Sequence, residues 1–135
     1  MAGRRLRRST FDSLGPPFYK FHVVDAAADK NLDVSLERYA SAEIPTCHGP
    51  VQVVVYRDHE NESVYTSPEH VALIVGDISK DLADVMIRVH SECITSEVFG
   101  SLKCDCRDQF DAALQKIRIH GAGILIYLRQ EGRGI

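Results

Sequence analysis

A chain of 135 residues with 44% hydrophobic residues, 26% charged residues and a formal net charge of -3 has the composition of one globular domain with its own apolar core rather than that of a disordered or membrane protein. The acidic balance argues against a general nucleic-acid binder, which is basic as a rule. No run approaches the roughly 18 to 20 consecutive apolar residues of a membrane-crossing helix, so neither nucleic acid nor a membrane is an expected partner.

The first ten residues, Met1 to Thr10, are rich in arginine, but no apolar stretch follows them as a secretory signal requires. They read as a solvated tail in a cytoplasmic protein, with an organelle transit peptide as the alternative. Gly15-Pro16-Pro17 breaks any regular element, and only a weak helical signal runs from Val34 to Ala40. Residues 1–40 therefore read as an extension, possible disorder included, ahead of one domain over 41–135. Ile44-Pro45-Thr46 leads to the turn signal His48-Gly49-Pro50. The β-branched run Val51 to Tyr56 then predicts a strand.

A polar loop from Arg57 to Glu69 precedes two further predicted strands, Val71–Val75 and Val85–His90. Phe110, Ala113, Leu114 and Ile117 recur at helical spacing, with Asp105 or Asp108 near the start and Gly121 as the stop. Gly123–Leu128 then predicts a buried strand. Strands, helix, strand in that order imply an α/β fold, a mixed sheet with flanking helices. The chain ends inside a Gly- and Arg-containing loop directly after that strand, so it reads as truncated there.

Four cysteines without a secretion signal are expected to be reduced. Cys93, Cys104 and Cys106 fall within fourteen positions, while Cys47 stands apart. Thiolates at close quarters select zinc or an iron-sulfur cluster over hard cations. Three protein ligands leave one tetrahedral position for water, the arrangement of a catalytic zinc that makes hydroxide available at neutral pH. Spacing leaves three competitors open: buried reduced cysteines, a structural zinc completed by Cys47, and one completed by His90 or His48.

Polar residues cluster on both sides of the cysteines. In Arg88-Val89-His90-Ser91-Glu92, Arg88 offers a planar fork to phosphate, and His90 or Glu92 could orient water or a base edge; an exposed strand end is the plainer account. Gln109, three residues after Cys106, should project near the metal unless it is solvated helix surface. In Arg129 to Gly134, the glycines permit close backbone approach to an anion and Arg133 can neutralise it. Glu131 could accept the paired N–H donors of guanine, although most such loops are plain turns.

Taken together, Arg88-Val-His-Ser-Glu-Cys93, Gly100-Ser-Leu-Lys-Cys104-Asp-Cys106, Gln109 and Tyr127-Leu-Arg-Gln-Glu-Gly-Arg-Gly-Ile135 closely resemble the signature of GTP cyclohydrolase II, in order and in intervals. The likeness runs from about Tyr39 to the last residue, over about the first half of the family's domain. It implies zinc, one per subunit, on Cys93, Cys104 and Cys106, with water or substrate in the fourth place. Cys47 has no counterpart among the family's ligands. GTP contacts are implied at Arg88, Val89, His90, Ser91, Glu92, Gln109, Glu131, Gly132 and Arg133.

The implied reaction is the first step of riboflavin biosynthesis. Zinc-activated water attacks C8 of guanine, formate leaves, and magnesium on the GTP phosphates assists loss of pyrophosphate. A homodimer is implied as well. The family's proton-accepting Asp and nucleophilic Arg are expected downstream of Ile135, so the chain is expected to be a fragment that binds zinc without releasing formate at the family's rate. Two other readings remain: a noncatalytic zinc- and nucleotide-binding paralogue, and a superfamily relative acting on another nucleotide. A fused dihydroxybutanone phosphate synthase domain is common in the family, and the extension over 1–40 is too short to hold one.

Overall fold

The computed structural model describes residues 19–20, 36–59, 69–79 and 85–130. Among the described residues six strands form one sheet: β1 (Tyr19–Lys20), β2 (Leu36–Thr46), β3 (Gly49–Asp58), β4 (Glu69–Val75), β5 (Met86–Ser91) and β6 (Gly123–Leu128), in the spatial order β1-β5-β6-β4-β3-β2. Two helices, α1 (Ile94–Glu97) and α2 (Cys106–His120), lie between β5 and β6 in sequence. Every neighbouring pair is antiparallel except β5 and β6. That parallel pair needs a crossover, and α1 and α2 supply it. The α/β class and mixed sheet expected from the sequence are thus present.

β2 and β3 form a hairpin that reverses at Cys47 and His48, with Thr46 paired to Gly49. Gly49 adopts φ 93°, a conformation that side-chain-bearing residues rarely take. The Thr46 hydroxyl closes the turn, donating to the Gly49 carbonyl at 2.6 Å and accepting from the His48 backbone N–H at 3.1 Å. The helical expectation over Val34–Ala40 is corrected where the structure describes it: residues 36–40 are strand, paired with β3 from Leu36↔Asp58 onward. Leu, Glu, Arg and Ala favour helix locally, but ladder pairing with residues 55–58 at the end of β3 overrides a weak local preference. Pro45 is tolerated because β2 lies at the sheet edge, where a missing donor costs nothing.

α2 covers one face of the sheet. Its buried stripe, Ala113, Leu114 and Ile117, packs with Val51, Val75 and Leu125, and full burial of each large aliphatic side chain contributes about 1.5–3 kcal/mol. Asp105 precedes the helix and Gly121, at φ 101°, ends it, its N–H bonding back to the Ile117 carbonyl at 3.0 Å. A close approach follows: a Cβ on Gly76 would lie 2.1 Å from the Gly121 carbonyl oxygen, so the turn after β4 must be glycine for the helix end to seat. No described helix is long and apolar enough to cross a membrane.

Candidate metal centre

β5 and β6 run parallel, so their carboxyl ends emerge side by side, Ser91 opposite Leu128. The Glu92 N–H continues that ladder by donating to the Leu128 carbonyl at 2.9 Å. Cys93 lies two residues past the end of β5 and immediately precedes α1; Cys104 and Cys106 lie at the entry to α2. Thus the crossover returns the chain to the place it left, and thiols eleven and thirteen residues apart in sequence meet.

The three sulfur atoms lie within 4.8 Å of one another, and Cys93 Sγ and Cys104 Sγ are 3.7 Å apart. Tetrahedral zinc with bonds of about 2.3 Å separates neighbouring sulfurs by about 3.8 Å, so the donor set and its spacing fit zinc. Among the described residues no fourth His, Cys, Asp or Glu joins the group. Cys47 is exposed on the hairpin turn; His48 is held by Asp111 at 2.9 Å and His90 by Glu97 at 2.6 Å.

The thiols differ in acidity. Hydrogen bonds from the Thr95 hydroxyl, then from the Ser96 backbone N–H, hold Cys93 below the usual thiol range. Cys106 is pushed up to about 12, first by burial and then by the two neighbouring thiols. Three sulfurs this close cannot all ionise without a cation among them.

Side-chain alternation sorts the charged strand end into two groups. Arg88 and His90 are buried beneath α2, whereas Val89 is 41% exposed and faces away from them. Arg88 donates to the Gln109 side-chain oxygen at 3.2 Å, which brings together two of the residues singled out in the sequence. Ser91 is half-buried at the strand end, and Glu92 pairs with Arg129 at 3.6 Å. His90 lies inside the core face with its ring stacked on Tyr127 and edge-on to Phe110. Glu131, Gly132 and Arg133 lie outside the described residues.

Sequence reasoning missed Glu97 and gave Tyr127 and Arg107 no role. One Glu97 carboxylate oxygen accepts from His90 Nε2 and the other from the Tyr127 hydroxyl at 2.5 Å. Burial, then the carboxylate, raises the Tyr127 phenol far above its ordinary range. Arg107 donates to the Glu97 carbonyl at 3.0 Å, and its backbone N–H to the Ser96 hydroxyl at 3.2 Å. No periodicity in the sequence marked Glu97, because the four residues of α1 are too few to leave one. A cavity of ≈ 380 Å³ between the hairpin turn and α2 is lined by Glu97, Tyr127, Val71, Leu73, Phe110 and Leu114 among others, and by none of the three cysteines.

Fold and centre together define an α/β protein with three cysteines gathered, where they could hold a metal ion, at the carboxyl end of a parallel strand pair. The family model described as GTP cyclohydrolase II matches residues 37–135. The chain belongs to the GTP cyclohydrolase II family. The riboflavin biosynthesis protein RibBA of Rhodococcus jostii (strain RHA1) is 52% identical over 104 residues, 74% of this chain and 24% of that protein. RibBA of Nocardia farcinica (strain IFM 10152) is 52% identical over 99 residues, 73% of this chain and 22% of that one. The chain spans about a quarter of the length of these curated relatives. Among solved structures, RibBX of A. baumannii, described as a two-domain 3,4-dihydroxy-2-butanone 4-phosphate synthase, aligns with a TM-score of 0.48 at 21% identity. That alignment covers 77% of this chain and 25% of RibBX, a likeness too slight to carry an argument.

Proposed function

We propose that this chain carries the zinc- and nucleotide-binding part of a GTP cyclohydrolase II that opens the imidazole ring of GTP in riboflavin biosynthesis, with loss of formate and pyrophosphate. The observation that carries the reading is the convergence of Cys93, Cys104 and Cys106 at a separation matching a tetrahedral zinc edge. A zinc ion held there would supply a polarised water at neutral pH. Its protein ligands would be the three sulfurs alone, since Cys47, His48 and His90, the candidates for a fourth, are engaged or placed elsewhere.

The remaining roles fall to residues around the centre. Arg88, oriented by Gln109, would meet a phosphate with its planar fork. Glu92, steadied by Arg129, would stand at the mouth of the site with Ser91 and the Val89 backbone. Glu131 would accept the guanine N–H donors, with Gly132 and Arg133 against the phosphates. His90 serves through its bond to Glu97. Magnesium would arrive with the triphosphate, because the cysteine trio is the one group of three or more potential ligands among the described residues. The working form would be a homodimer.

Calorimetric titration of the zinc-loaded chain with GTP, ATP and UTP tests the reading. Binding of GTP in clear preference to the other two is the expected result. Equal affinity for all three, or failure of the purified chain to hold one zinc, would overturn it.

A further inference from the structure

We propose that Glu97 is a positioning residue for the three-cysteine centre, its carboxylate tying the short turn that follows Cys93 to strands β5 and β6. The inference rests on the zinc reading above. α1 has only four residues, too few to hold a helical shape unaided, so its orientation, and with it that of Cys93, has to come from tertiary bonds.

Glu97 supplies those bonds in three directions. Its carboxylate accepts from His90 on β5, three residues before Cys93, and from Tyr127 on β6. Its backbone N–H donates to the Cys93 carbonyl at 2.9 Å, closing the turn on the ligand itself. Its carbonyl accepts from Arg107, the residue after Cys106. The neighbouring Ser96, only 3% exposed, accepts the Arg107 backbone N–H. One residue thus links the strand end before the first cysteine, the adjacent parallel strand and the first turn of the helix that bears the third.

The carboxylate is 13% exposed and His90 is 5% exposed, so water cannot readily replace the lost partner. Deleting the carboxylate strands a buried imidazole and a partly buried phenol, and the imidazole can regain a partner only by moving. His90 is boxed between Phe110 and Tyr127. The turn bearing Cys93 is therefore the part free to shift, and a shift there spoils the sulfur spacing. Groups bonded directly to metal ligands typically change metal affinity about 10–100-fold when removed, and the Glu97 carboxylate acts on Cys93 through the turn that it anchors.

The test measures zinc affinity by competition with a chromophoric chelator, and the d–d spectrum of the cobalt(II)-substituted chain. Glu97→Ala should weaken zinc about 10–100-fold and alter the cobalt bands. Glu97→Gln keeps an acceptor for one partner and a donor for the other, and should recover most of the affinity. Tyr127→Phe retains the ring and deletes one bond, so it should fall between. Val54→Ala, buried on the opposite sheet face, lowers fold stability without touching the turn and should leave affinity intact. If the wild-type chain holds one zinc and Glu97→Ala binds as tightly, or weakens no more than Val54→Ala, the inference is overturned. Should Glu97→Ala fail to fold, unchanged affinity in Tyr127→Phe has the same consequence. A wild-type chain that binds no zinc would instead remove the zinc reading beneath it.

Discussion

Replacing Cys104 by Ser tests the centre most directly. Its sulfur lies 3.7 Å from that of Cys93, so each can reach one zinc ion at about 2.3 Å without backbone movement. Serine keeps the size of the side chain but offers a neutral hydroxyl in place of a soft thiolate. Structural zinc sites bind with apparent free energies of about 10–16 kcal/mol near neutral pH, which spread over four ligands is roughly 2.5–4 kcal/mol each. At about 1.4 kcal/mol per tenfold, Cys104→Ser should weaken zinc by about two to three orders of magnitude. Native mass spectrometry should find the variant metal-free where the wild type carries one ion, and chelator competition should give the loss in affinity. Cys47→Ser, an exposed position on the hairpin turn outside the cluster, should bind as the wild type does. Undiminished zinc in Cys104→Ser, or its loss in Cys47→Ser, would refute the ligand assignment.

Two further outcomes are expected. Cys106, pushed up to about 12, is a neutral thiol at neutral pH, so metal binding must expel its proton; a raised pKa places the ligating form on the alkaline side. Apparent zinc affinity should therefore climb as pH rises from about 6 to about 8, with proton release seen by calorimetry in buffers of different ionisation enthalpy; pH-independent binding would contradict the assignment. Leu125, fully buried on β6 beneath α2, should cost about 2–5 kcal/mol in urea unfolding when replaced by Ala, because the cavity cannot collapse in a packed sheet-helix interface; a loss under about 1 kcal/mol would show that the core is elsewhere.

Much of the architecture was legible locally. The β-branched run at Val51–Tyr56, the helical spacing of Phe110, Ala113, Leu114 and Ile117, and the Gly121 stop are patterns within one element, and each element formed where its pattern lay. The same local reading failed at residues 36–40, whose helix-favouring side chains are strand because β3 offers a paired edge. It also passed over α1, whose four residues are too short to leave a period.

The cysteine trio stands between the two cases. A C-x-C step and a third cysteine at a strand end made a metal site expected from sequence, but their meeting depends on α1 and α2 returning the chain to the end of β5. Glu97 was beyond reach. Its carboxylate partners lie seven and thirty residues away, and that of His48 lies sixty-three away at Asp111. Sequence alone determined element types, the core stripe of α2 and the chemistry of the three thiols, because side-chain period and donor type are properties of neighbouring residues. Only the folded sheet decided which strands lie parallel, which face Arg88 and His90 share, and which carboxylate braces the turn after Cys93, because contacts between distant residues arise when the sheet and helix close over a common core.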